Sequence, residues 1–130
     1  MRPDPKAMAW RILAGLYVAS GMGRIRHRGR VVILTYHRVV SDHMMMDEHI
    51  QPGMYVRGQS FEAHVAYLQK RFTIIALDEL LDLWQTSRLK RDQSYCVITF
   101  DDGWQDNYQF AFPVLAKYHV PATIFLATDF

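Results

Sequence analysis

Cysteine is nearly absent from this chain: Cys96 is the one thiol in 130 residues. That excludes a disulfide framework or a cysteine-rich metal cluster within it, and a lone cysteine among Tyr95, Val97 and Ile98 reads as a buried free thiol. Histidine is more plentiful, but no two of His27, His37, His43, His49, His64 and His119 stand four residues apart. A helical pair of imidazole ligands at that spacing is therefore missing. No Asp-x-Asp occurs either, which argues against phosphoryl transfer on aspartate. There are no internal repeats and no low-complexity tracts. Among apolar stretches, Ile12 to Gly23 has twelve residues, too few to cross a bilayer as a helix.

What is present is unevenly charged. Residues 1–30 carry seven Lys/Arg and one acid, whereas residues 31–130 carry eight Lys/Arg and twelve acids. The net charge of +2 thus conceals a basic leader on an acidic body. Residues 1–30 read as a basic amphipathic segment. Trp10, Leu13, Leu16 and Tyr17 share an apolar face, and Arg24, Arg26, Arg28 and Arg30 come after it. Such a helix suits a membrane surface, with contact through residues 8–30. The plainer alternative is a helix packed on the body with a solvated basic linker. A signal peptide fits in outline, with Arg2, Lys6 and Arg11 before the apolar stretch, but the arginines after it favour retention on the cytoplasmic side. The expectation is a cytoplasmic location, free or peripheral at the membrane's cytoplasmic face, with export as the alternative. The acidic body and the lack of a nucleic-acid-binding motif argue against nucleic acid as a partner.

The stretch richest in chemistry is Thr99-Phe100-Asp101-Asp102-Gly103. Tyr95 to Phe100 is an apolar run bounded by a glycine turn, which predicts a buried strand. Successive strand side chains face opposite ways, so the two aspartates at its end are free to do different work. Crowded carboxylates repel unless a cation, a shared proton or solvent relieves them. Asp-Asp-Gly is also ordinary turn chemistry. Its context favours more than a turn: a helical stretch comes next, and then the apolar run Ala122 to Leu126. Strand, acidic turn, helix and strand make a βαβ unit, and parallel α/β folds keep their active groups at the carboxyl ends of strands.

These residues resemble the polysaccharide deacetylase family, the NodB-homology domain of carbohydrate esterase family four. Thr99 to Gly103 is similar to that family's first signature motif. Leu34-Thr35-Tyr36-His37-Arg38-Val39 is similar to the first barrel strand of members linked to exopolysaccharide synthesis, and Asn107 through Phe125 resembles the segment on the carboxyl side of the aspartates there. The resemblance runs from about Val31 to Phe130. It implies an α/β fold, the N-terminal part of a distorted (β/α) barrel, over residues 31–130. It also implies metal-dependent removal of N-acetyl groups from polysaccharide or oligosaccharide, or from a lipid-linked glycan. Asp101 would be the general base that takes a proton from water, and Asp102 a ligand of a divalent metal, usually zinc. His37, at the first strand's end, is a candidate substrate contact; the alternative is a buried histidine bonded to a neighbour.

The family's His-[Ser/Thr]-x-x-His motif has no counterpart in this sequence, and its later motifs would fall beyond Phe130. A (β/α) barrel takes about 200 residues or more. The expectation is an N-terminal portion of such a domain, inactive by itself. Trp104 stands where many members have proline, as aromatic residues do in the exopolysaccharide-linked subset. Two other functions remain open: a sugar-binding module without catalysis, and a membrane-associated interaction protein.

The rest of the body alternates. Val31 to Thr35 predicts a strand buried on both faces. Asp42 to Gly58 reads as a loop. Ser60 is an expected cap for a helix through Arg71, with Phe61, Val65 and Leu68 inward. Phe72 to Ala76 is a short strand, and Asp78 is expected to cap a second helix bearing Leu80, Leu81, Leu83 and Trp84. Pro113 suits the first turn of a helix ending near Tyr118.

Overall fold

The computed structural model describes residues 13–17, 19–20, 29–41, 44, 51 and 53–128. Its centre is one strand, Tyr95–Phe100, buried at every position. Numbering in chain order, β1 is Val31–Tyr36, β2 Arg38–Val40, β3 Tyr55–Arg57, α1 Gly58–Gln69, β4 Thr73–Ile74, α2 Leu77–Gln85, β5 Tyr95–Phe100, α3 Phe112–Tyr118 and β6 Thr123–Ile124. A π-helical turn, Asn107–Ala111, leads into α3.

All pairings are parallel. β1 runs beside the whole of β5, from Val31 opposite Tyr95 to Tyr36 opposite Phe100. On the other side of β5, β4 pairs with its first residues and β6 with its last. The crossovers carry the helices, as parallel pairing requires. β2 and β3 form a separate two-stranded parallel ladder.

The period-two alternation of β5 divides the core. Cys96, Ile98 and Phe100 pack with Phe61, Val65 and Leu68 of α1 and with Ala111 and Val120. Tyr95 and Val97 pack with Ile75 and with Leu80 of α2. Both faces of β5 are therefore covered, which is why its sequence is an apolar run and not an alternating one. β1 departs from expectation: Val31 and Ile33 are exposed while Val32, Leu34 and Tyr36 are half-buried. Among the described residues no strand pairs with the outer edge of β1. The two helices on the Cys96 face are clasped together. Lys117 and the Tyr118 hydroxyl both donate to Glu62 Oε1, and Gln69 Nε2 donates to the Tyr118 carbonyl.

Helix ends differ in detail from the sequence-based expectation. α1 starts at Gly58, so Ser60 lies inside it and caps nothing. Ala76 holds the cap position of α2, with Asp78 in the first turn, where its charge still suits the helix N-terminus. Pro113 falls in the first turn of α3 as expected, and His119 ends that helix in the left-handed region, φ 52°. The segment expected as a loop contains β3, and Ala122 to Leu126 is strand only at Thr123–Ile124. Of the N-terminal segment, residues 13–17 are helical with Leu13 and Leu16 exposed; Trp10 and the arginines at 24, 26 and 28 lie outside the described residues. Among those described, no helix is long and apolar enough to cross a membrane.

Burial leaves a titration signature. The Tyr36 hydroxyl is pushed up to about 12 by desolvation, with the neighbouring Cys96 thiol adding to the rise. Folded Tyr36 therefore keeps its proton up to about pH 12, whereas the unfolded side chain releases it near 10. Its contribution to stability is complete below pH 10 and is lost as pH rises from 10 to 12. In a tyrosinate absorbance titration paired with thermal melts, we expect one late-titrating tyrosine and a fall in melting temperature across that window. Both should be diminished in Tyr36→Phe.

Candidate active site

The carboxyl ends of β1, β5 and β6 lie on one edge of the sheet, because all three strands are parallel and in register there. Extending the β1–β5 register by one step sets His37 opposite Asp101. Their side chains do meet: His37 Nε2 lies 3.9 Å from Asp101 Oδ2, with 33% and 37% of the side chains exposed. That is close enough for mutual orientation, too long for a direct hydrogen bond, and open enough to admit water. The Asp101 backbone is fixed, its N–H donating to the Tyr36 carbonyl at 2.9 Å. Two residues back along each strand, the hydroxyls of Thr35 and Thr99 bond across the pair at 3.0 Å. The fold thus brings together two residues that the sequence reading sets at the ends of two separate strands.

Asp102 is oriented differently. Its backbone takes φ +70°, and Gly103 comes next at φ +68°. Two successive left-handed residues turn the chain sharply off the sheet edge, in a region where aspartate is tolerated and glycine is at ease. A Cβ at Gly103 would in addition meet the tip of the exposed Leu126 side chain, which would have to turn aside. Asp102 itself is exposed, and its Oδ2 accepts a hydrogen bond from Trp104 Nε1 at 3.2 Å.

Two residues to which the sequence alone assigns no role complete the neighbourhood. Arg38 Nε donates to Asp106 Oδ2 at 2.6 Å, with the side chains only 14% and 2% exposed. The Arg38 guanidinium also lies 4.6 Å from the centroid of the Trp104 ring. Asp106 and Asn107 are both buried at the entrance to the π-helical turn, a widened geometry frequent at functional sites. A signal was available: Asp106 repeats the acidic character of the motif four residues after Asp102, and Arg38 directly succeeds His37.

Among the described residues, no group of three His, Cys, Asp or Glu side chains is placed to hold a metal ion. A catalytic zinc takes about three protein ligands. Asp102 has donor chemistry for one, so the described residues alone fall short of the site.

Residues 88–130 match a family model described as polysaccharide deacetylase. The putative polysaccharide deacetylase YxkH of Bacillus subtilis is 35% identical over 97 residues, 75% of this chain and 32% of that protein. Poly-beta-1,6-N-acetyl-D-glucosamine N-deacetylase of Staphylococcus epidermidis is 35% identical over 75 residues, 57% of this chain and 25% of that protein. Among solved structures, IcaB from Ammonifex degensii superposes with a TM-score of 0.60 at 26% identity, covering 76% of this chain and 38% of that one. The chain resembles the polysaccharide deacetylases in sequence, and its parallel α/β fold is of the kind those NodB-type enzymes have. It spans about a third or less of the length of the curated relatives it matches.

The buried Arg38–Asp106 pair gives a direct test of the site's frame. Removing Asp106 takes away a buried, charge-assisted hydrogen bond to Arg38, worth about 1.5–3 kcal/mol. Asp106→Ala should therefore lower the urea midpoint sharply. Asp82→Ala, whose partner Arg88 is an exposed ion pair, should lose less than about 1 kcal/mol in the same assay.

Proposed function

We propose that this chain supplies the water-activating carboxylate, and one metal-binding carboxylate, of a hydrolase that removes N-acetyl groups from polysaccharide. The observation that carries the proposal is the placement of Asp101 at the sheet's carboxyl edge. There it is one-third exposed and beside His37, in a sequence that matches deacetylases. Asp101 would take a proton from a water whose oxygen attacks the acetamide carbonyl carbon. The carbon–nitrogen bond then breaks, the leaving amine takes up the proton that Asp101 removed from the water, and acetate is released. An anchored backbone and an accessible carboxylate suit a general base, which must come within hydrogen-bond reach of its water.

His37 would contact the sugar at that edge or orient Asp101. Asp102 would be one ligand of a divalent cation, zinc by resemblance, with the remaining ligands supplied from outside the described residues. The name of the Staphylococcus epidermidis relative supports a β-linked N-acetylglucosamine polymer as the substrate class. The basic segment at residues 1–30, with Leu13 and Leu16 exposed, supports contact with an anionic membrane surface.

A chimaera tests the assignment: residues 31–128 of this chain replace the matched segment of the Ammonifex protein, and acetate release from N-acetylglucosamine oligosaccharides is measured with zinc added. We expect turnover, and a loss of at least about a hundredfold in Asp101→Asn, the scale of a lost general base. Full activity in the Asp101→Asn chimaera would remove the role given to Asp101. The 130-residue chain alone should release no measurable acetate, and turnover by it would show that it needs no further segments.

A further inference from the structure

We propose that Arg38 and Trp104 are positioning residues for Asp102, linking a buried ion pair to the exposed carboxylate at the rim. The proposal rests on the functional reading of Asp102 given above, but its geometry stands apart from that reading. Three contacts in series make the link, and a backbone hydrogen bond closes it. Asp106, 2% exposed, holds Arg38 by the 2.6 Å bond to Nε. Arg38, held at its Nε edge, sets its guanidinium carbon over the Trp104 indole, 4.6 Å from the ring centroid. The indole Nε1–H then donates to Asp102 Oδ2 at 3.2 Å. The backbone closes the loop, as the Asn107 N–H donates to the Trp104 carbonyl at 3.0 Å.

Each contact restricts the next. Asp102 is exposed at φ +70°, so burial does not select its rotamer, and the indole N–H donor engages one carboxylate oxygen, Oδ2. Trp104 is itself about half exposed and could not hold that donor in place by burial. A planar cation over its face supplies the missing restraint, and arginine does this where lysine does not, because the guanidinium both stacks and hydrogen-bonds in a fixed plane. The order of residues suits this arrangement, since His37, which faces Asp101, immediately precedes Arg38, which governs Asp102. One short segment after β1 thus addresses both acids, each by a different residue.

The test uses the ¹⁵N-labelled 130-residue chain and three variants: Trp104→Phe, which keeps a ring over Arg38 and removes the donor; Arg38→Lys, which keeps the charge near Asp106 and removes the plane; and Asp102→Asn, which keeps an acceptor oxygen without the charge. In the parent chain, the Trp104 indole proton should exchange with water about tenfold more slowly than that of Trp84, and Asp102 should show scalar couplings of one χ1 rotamer. Asp102→Asn should shift the Trp104 indole resonance. Trp104→Phe and Arg38→Lys should each convert the Asp102 couplings to averaged values, and Arg38→Lys should bring Trp104 exchange close to that of Trp84. Averaged Asp102 couplings in the parent chain, or couplings unchanged in both variants, would overturn the proposal. Should Arg38→Lys fail to fold, Trp104→Phe decides the last contact by itself. Failure of the deacetylase assignment in the chimaera would leave these couplings as they are, so the two outcomes are separable.

Discussion

The arrangement depends on the double burial of β5. A strand with both faces covered and partners on both sides has no freedom of register, since a one-residue slip would exchange the Cys96–Ile98–Phe100 face for the Tyr95–Val97 face. These faces meet different helices with different volumes. Locking β5 locks the point at which it ends, and Asp101 is the first residue past that point. The accuracy of the rim is inherited from the core: the acid is placed by apolar packing, and only then by its own hydrogen bonds.

The second constraint is charge. Asp101, Asp102 and Asp106 fall within six residues, and three carboxylates so close would repel one another in the absence of positive groups. The positive charge comes from the segment after β1, where Arg38 bonds Asp106 and His37 stands beside Asp101. Parallel pairing makes this possible, because it brings the ends of two strands distant in sequence to one edge. The buried pair, Arg38 with Asp106, draws rigidity from its burial. The acids at the rim, Asp101 and Asp102, keep access to solvent. Three acids of one type thus differ in depth within six residues.

Much of this was legible in the sequence. The apolar run of β5, the turn at Asp101-Asp102-Gly103, the helices bearing Phe61 and Leu80, and the position of Pro113 were all readable from local pattern. That His37 and Asp101 share one end of the sheet follows from reading the two runs as parallel strands; that the strands are neighbours is a finding of the structure. The three-residue strands β2 and β3 were not legible, for elements so short carry no period that a sequence can display. Helix starts were misread at Ser60 and Asp78 because good capping residues also sit comfortably within a first turn. The Arg38–Asp106 pair joins residues far apart in the chain, and nothing local distinguishes that arginine from a solvated one until the fold closes over it. Exposure at Val31 and Ile33 escaped notice for the opposite reason: a β-branched run resembles a strand covered on both sides, whether or not covering groups are present.

The left-handed backbone at Asp102 has a consequence for how substitutions at that codon should be read. Few L-residues adopt φ +70° without penalty, and asparagine is among the most tolerant. A saturation library there would superimpose two selections, one for the carboxylate and one for a conformation most side chains resist. Valine or isoleucine would fail for steric reasons before chemistry was consulted. Asparagine and glycine are the informative replacements: the first removes the charge within the same conformation, and the second removes the side chain while relaxing the turn.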